Sequence, residues 1–259
     1  MSLERWELHC GEALSILQGL PTGSVDAVIT DPPYSSGGLH RGDRVASTGV
    51  KYVGANVALK RPDFGGDGRD QRAYAYWSAL WLSECLRVAR PGSPIVSFTD
   101  WRQLPTTVDA VQAGGWVVRG IAVWDKTEGT RPVMGRYRNQ CEYMVWGSAG
   151  AMPTSRNAPT LPGVFRVSVR QNDKHHQTGK PTELMRQVVQ ICERGGVVLD
   201  PFAGSATTGV AALAEGFTFI GIEQSEQYCE IGRGRLVSAV FCGAEDRYKQ
   251  TSLFGPVRE

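Results

Sequence analysis

The last third of the chain alternates strand-like and helix-like patterns, and this alternation decides the fold class. Val197 to Leu199 and Phe217 to Ile222 are apolar runs, Thr207 to Ala214 and Gln227 to Val240 have helical spacing, and glycine-containing turns separate them. Continuous apolar runs suit strands buried on both faces. Strands joined through helices therefore predict an α/β fold with a mostly parallel, doubly wound sheet.

The turn from Asp200 through Pro201, Phe202, Gly204 and Ser205 to Thr207 and Thr208 is rich in small residues, which let a ligand approach the backbone and the helix N-terminus. Glu223 follows 23 residues after Asp200, at the end of the second strand. A carboxylate there can accept hydrogen bonds from both hydroxyls of a ribose. The turn has neither a full GxGxxG nor a GK[ST], which disfavours a dinucleotide or a triphosphate and leaves an adenosine without phosphate, with S-adenosylmethionine as the candidate.

A second stretch carries chemistry of another kind. The apolar run Val25 to Thr30 ends in Asp31, Pro32, Pro33 and Tyr34. Two successive prolines set their own φ and push Asp31 out of the helical region, so a carboxylate, exposed carbonyls and an aromatic ring share one stiff loop. That suits a flat base carrying an exocyclic amine. Asp and Pro are also ordinary turn residues, and on their own these four positions fit a plain strand-terminating turn equally well.

The rest of the chain supports one domain over residues 1–259. Trp6 to His9 reads as a strand and Glu12 to Leu17 as a helix. The Gly- and Arg-rich stretch 35–72 reads as a mobile lid or binding arm beside the site. A helix from Asp70 to Ala89 has Ala73, Trp77, Leu80, Trp81, Cys85 and Val88 on its buried side. Pro94 to Thr99 forms a buried strand and Trp101 to Ala113 a helix. Trp116 to Trp124 and Cys141 to Trp146 form an antiparallel hairpin at a sheet edge, around the basic residues Lys126, Arg131, Arg136 and Arg138. Residues 148–177 make a short insertion, and Pro181 opens a helix whose buried stripe is Leu184, Val188, Val189 and Cys192.

Composition narrows the function classes. No apolar run approaches the roughly 20 residues of a membrane span, and Glu4, Arg5 and Glu7 interrupt the N-terminus, so no signal peptide is expected and the location expected is cytoplasmic. Six cysteines without a CxxC pair point to reduced thiols, and the adjacent His175 and His176 point apart, so no metal is expected. The net charge of +2 conceals segregation: segments 35–72, 126–140 and 148–180 together carry +10, and the remainder −8. Positive charge gathered in loops is the footprint of a polyanion partner.

Taken jointly, the motifs resemble the β class of amino-methylating DNA methyltransferases, in which a DPPY motif precedes an FxGxG motif. The matching residues are Asp31 to Tyr34; His176, Lys180, Pro181 and Leu184; Asp200, Phe202, Gly204, Thr207 and Thr208; and Gly221, Ile222, Glu223, Tyr228 and Arg235. The lead-ins Gly11-Glu-Ala-Leu and Ser24-Val-Asp-Ala match as well. The resemblance implies a Rossmann-like, S-adenosylmethionine-dependent methyltransferase fold with circularly permuted motif order, in which the Asp31 and Asp200 strands lie side by side. It implies Asp31, Pro32, Pro33 and Tyr34 as the catalytic loop. Asp200, Pro201, Phe202, Gly204, Ser205, Thr207, Thr208, Glu223, Lys180 and His176 would serve the cofactor, and Arg41, Arg44, Lys51, Arg131, Arg136, Arg138, Arg166 and Arg170 the phosphates of double-stranded DNA.

The activity so implied is methylation of the N6 amine of a flipped adenine, with N4-cytosine methylation, RNA methylation and a silent nucleic-acid-binding scaffold as alternatives. A restriction endonuclease is a candidate partner, and the chain is expected as a monomer or homodimer. Two positions depart from the family pattern. Ala206 replaces the second glycine of FxGxG, which predicts an ordinary right-handed helix start, and Glu12 stands where the family often has aspartate. The region expected to recognise the target is also short.

Overall fold

The computed structural model describes residues 5–35, 69–129, 133–169 and 179–253, with side chains of the last helix described as far as Val240. Among these residues eight strands form one sheet: β1 (Trp6–Cys10), β2 (Ala27–Thr30), β3 (Pro94–Thr99), β4 (Val117–Asp125), β5 (Cys141–Ser148), β6 (Val164–Arg166), β7 (Val197–Asp200) and β8 (Thr218–Glu223), in the order β1-β8-β7-β2-β3-β5-β4-β6. β5 is antiparallel to both β3 and β4, and every other pairing is parallel. The hairpin β4–β5 forms as expected, but the outermost strand is β6, which pairs parallel to β4 and covers its edge. A three-residue strand is a usual way to end a sheet without presenting a long row of unpaired backbone groups.

Helices cover both faces. On one lie α1 (Ala13–Gly19), α2 (Gln71–Val88) and α3 (Leu104–Ala113); on the other lie α4 (Thr182–Val188), α5 (Thr207–Ala214) and α6 (Glu226–Leu253). The central strands read as continuous apolar runs because both sides are covered, and β2 and β3 are buried at every residue. The stripe that α2 buries is Tyr74, Ser78, Trp81, Leu82, Cys85 and Val88. Leu80 and Ala73, expected inside, are exposed: the stripe runs through Tyr74 and Ser78, about a third of a turn from the predicted face.

β2 lies between β7 and β3, with Ala27 opposite Val198 and Val28 opposite Leu199. The loops that follow β2 and β7 therefore leave the sheet side by side at its carboxyl edge, where open α/β sheets bind ligands. The junction is held by a buried hydrogen-bond cluster on Asp200. Thr30 Oγ1 donates to Asp200 Oδ1 at 2.7 Å, Thr208 Oγ1 to Oδ2 at 2.6 Å and the Phe202 N–H to Oδ1 at 3.0 Å. One carboxylate thus ties the residue before Asp31 to the turn and helix after β7.

The start of α5 departs from expectation. Ala206 is its N-cap with φ 60° and ψ 37°, a left-handed conformation that a residue other than glycine disfavours. The tertiary contacts outweigh the local cost of roughly 1–2 kcal/mol. Ala206 is fully buried, Gly232 of α6 lets that helix approach the Ala206 methyl, and the Ala206 N–H reaches the Ala203 carbonyl at 2.7 Å.

These buried groups set two expectations for stability. Ala206→Val puts a β-branched side chain into the left-handed region against α6 and is expected to destabilise the protein by about 2–4 kcal/mol in chemical denaturation. Burial raises the Asp200 pKa from 3.8 to about 6, despite the hydrogen bonds from Thr208, Thr30 and Phe202. A folded acid with a raised pKa holds its proton more tightly than the unfolded chain does. Its favourable contribution is thus complete below pH 3.8 and is lost as pH rises through about 6. Asp200→Asn is expected to remove roughly 3 kcal/mol of that pH-dependent loss, read as a flatter stability profile between about pH 4 and 7.

Candidate active site

Two half-sites open at the carboxyl edge of the sheet. The first is the turn after β7. Asp200, Pro201, Ser205, Thr207 and Thr208 are buried in it, and Phe202, Gly204 and Glu223 remain partly accessible. Arg235 of α6 braces the turn, its Nη1 donating to the Ser205 carbonyl at 2.5 Å, Ser205 Oγ at 3.0 Å and Thr207 Oγ1 at 2.9 Å. Glu223 Oε2 accepts the Gly204 N–H and Oε1 the Ser225 N–H, both at 2.8 Å. Burial raises its pKa while these backbone bonds act the other way. Its carboxylate is thereby aimed along the turn, with lone pairs left for a ligand.

Beside it, the Phe202 ring packs on Trp77 at 5.4 Å and Trp81 at 5.1 Å between centroids, and the Arg69 guanidinium lies 4.2 Å over Trp77. Glu12 caps α1 through the Leu14 and Ser15 N–H groups, a role that glutamate can fill as well as aspartate. An accessible carboxylate beside an aromatic face and an open turn suits a nucleoside. The buried threonines and Asp200 instead hold the turn together.

The second half-site is the loop after β2. Tyr34 Oη donates to Asp31 Oδ1 at 2.5 Å, and Lys180 Nζ lies 2.5 Å from Asp31 Oδ2 and 3.0 Å from Tyr34 Oη. The family resemblance assigns Lys180 to the cofactor; the structure sets it against Asp31 instead, with its ammonium over the rings of Tyr34 and Phe98. Glu142, at the start of β5, continues the chain. Its Oε2 is 3.2 Å from Lys180 Nζ and its Oε1 2.7 Å from Lys126 Nζ. Two carboxylates and two ammonium groups thus alternate in a cluster of zero net charge, with the Lys180 side chain only 7% exposed.

The burial of this cluster sets its protonation. Burial raises the Asp31 pKa, with Lys180 opposing and Glu142 adding to the rise. Burial works against ionisation of Glu142, but Lys180 and Lys126 outweigh it and hold its pKa at about 2. Lys180 is pulled down by burial, yet Asp31 and Glu142 leave its pKa raised. Burial and the neighbouring carboxylates push the Tyr34 hydroxyl well above its ordinary value, so it stays a donor.

Arg136 and Arg138 lie on the exposed loop between β4 and β5, and Arg138 Nη1 donates to the Glu128 carbonyl at 2.7 Å. Arg166 of β6 is largely exposed, 3.6 Å from Asp125. Arg41, Arg44, Lys51, Arg131, Arg170 and His176, together with most of the 35–72 stretch, lie outside the described residues. Among the described residues, no three His, Cys, Asp or Glu side chains are grouped to hold a metal, and no helix is long and apolar enough to cross a membrane. Sequence reasoning missed Glu142 and Thr30. No motif marks either, and only the pairing of β5 and β2 with their neighbours brings them to the site.

The chain is 31% identical over 229 residues to the putative methylase YubD of Escherichia coli (strain K12), covering 88% of each chain. It is 26% identical to the type II methyltransferase M.HinfI of Haemophilus influenzae, covering 87% of this chain and 67% of that one. Two solved structures share the fold: an M1.HpyAVI–SAM complex (TM-score 0.64, 23% identity, 89% of this chain and 98% of that one) and PvuII DNA methyltransferase (cytosine-N4-specific) (TM-score 0.67, 16% identity, 89% and 86%). The sequence model of the N6/N4 DNA methylase family matches residues 25–233, and the chain belongs to that family.

Proposed function

We propose that this protein transfers a methyl group from S-adenosylmethionine to the N6 amine of an adenine flipped out of duplex DNA. The observation that supports the reading is the Thr30–Asp200 hydrogen bond, which sets the loop of Asp31 beside the turn after β7. S-adenosylmethionine, when bound, supplies a methyl group already activated by its positive sulfur. Glu223 would accept the ribose hydroxyls and Phe202 would line the adenosine face.

The chain's task is to improve and aim a poor nucleophile. The lone pair of an aromatic exocyclic amine is delocalised into the ring. Asp31 and the Pro32 carbonyl each accept one amine hydrogen, which draws the nitrogen toward tetrahedral geometry and frees the lone pair. Tyr34 presents a ring for the extruded base. Stacking worth about 1–3 kcal/mol offsets part of the few kcal/mol that unpairing and unstacking cost. Asp31, rather than serine, at the head of the motif supports adenine.

Incubation with methyl-labelled cofactor and duplex DNA, followed by nucleoside chromatography, is expected to give N6-methyladenine. N4-methylcytosine would reassign the base, and an unlabelled product would overturn the activity. Asp31→Ala is expected to lower transfer by about 10²- to 10⁴-fold while leaving cofactor affinity unchanged. Glu223→Ala is expected to weaken cofactor binding by about 10- to 100-fold in calorimetry.

A further inference from the structure

The resting site poses a problem for the amine. Both Asp31 oxygens already hold a donor at 2.5 Å, Tyr34 Oη on one and Lys180 Nζ on the other. An ammonium that close also neutralises the charge with which Asp31 would polarise the amine. Lys180 cannot simply withdraw, because its side chain is buried and an unpaired buried ammonium is strongly disfavoured.

The way out lies on β5. Glu142 Oε2 is 3.2 Å from Lys180 Nζ, and the Tyr34 hydroxyl is 3.4 Å from the same oxygen. We propose that Glu142 is a positioning residue for methyl transfer: it gives the Lys180 ammonium a second carboxylate, so that Lys180 releases Asp31 to the arriving amine. Lys126, 2.7 Å from the other Glu142 oxygen, keeps Glu142 ionised and limits its hold on Lys180. The inference rests on the methyl-transfer reading above and assigns that reaction a residue outside both sequence motifs.

The chemistry balances without another reactant. The nitrogen–methyl bond forms as the sulfur–methyl bond breaks, and the electrons of the broken bond stay on sulfur. The cationic nitrogen then gives one proton to Asp31, which passes it to water. Lys180 on Glu142 keeps the pocket neutral while Asp31 is engaged.

The test compares wild type, Glu142→Gln and Lys126→Gln in single-turnover methyl transfer to duplex DNA across pH, with cofactor affinity and thermal unfolding measured alongside. In Glu142→Gln the neutral amide no longer competes for Lys180, so Lys180 locks onto Asp31. The plateau rate is expected to fall about 10- to 100-fold, and the acid limb of kcat/KM to move to lower pH. Lys126→Gln leaves Glu142 with Lys180 alone, so the acid limb is expected to move to higher pH. Among the described residues, the other ionisable groups facing the cluster include Tyr34 itself, Tyr74 from α2, Asp200 from β7 and Asp100 just after β3, and they are common to all three proteins.

Opposite displacements of the two limbs, together with a fall in the plateau rate in Glu142→Gln that Lys126→Gln does not share and with unchanged cofactor affinity, would establish the role. Limb shifts with an unchanged Glu142→Gln plateau would show a purely electrostatic influence and overturn it. Limbs that stay in place, or move together, would overturn it even if the rate fell, since a purely structural defect lowers the rate without moving the limbs in opposite senses. Lys126 is the more peripheral member, and its limb alone decides the matter if Glu142→Gln does not fold: movement to lower pH, or none, rejects the proposal. A wild type that transfers no methyl group would remove the underlying reading, a result distinct from an active wild type whose variants keep its profile.

Discussion

The hydrogen bond from Thr30 to Asp200 is the interaction on which the site depends. It joins the last residue of one central strand to the last residue of its neighbour, although 170 positions separate them in the chain. Asp200 is 2% exposed, so its carboxylate is tolerated only because Thr30, Thr208 and the Phe202 backbone all donate to it. The same three bonds shape the turn after β7 and start α5. The turn after β7 and the loop after β2, the proposed cofactor and acceptor sides, thus share one buried anchor, and a displacement on either side is felt on the other.

A second buried network lies on the Asp31 side. Lys126, Glu142, Lys180 and Asp31 alternate in sign, and each charge has a partner of opposite sign within 3.2 Å. Buried pairs of this kind add little net stability, because desolvation cancels most of the Coulomb gain. They do hold charges at defined positions. The strand direction of β5 makes the network possible: β5 runs against its neighbours, so its first residues lie at the edge where the parallel strands end. A parallel strand in that place would put Glu142 at the opposite edge.

Much of the fold was legible because its signals are local. The apolar runs of β3, β7 and β8 and the helical spacing of α5 reflect burial on two faces or on one, and periodicity reads burial directly. Where a neighbour decides burial, periodicity misleads, as on α2, where Tyr74 and Ser78 are inside and Leu80 is outside. Ala206 shows the same limit for the backbone. Local propensity predicts a right-handed alanine, and packing against Gly232 holds it left-handed.

The sequence by itself determined the chemical groups: a carboxylate on a proline-stiffened loop, a small-residue turn after a strand, and a second carboxylate 23 residues beyond Asp200. Those are properties of contiguous stretches, and local sterics are enough to define them. Only the tertiary structure decided which groups meet. Strand order put Thr30 against Asp200, the antiparallel run of β5 carried Glu142 to the Asp31 side, and Lys180, just ahead of α4, meets Asp31 there. Most of these contacts join residues more than a hundred positions apart, and no local pattern encodes them.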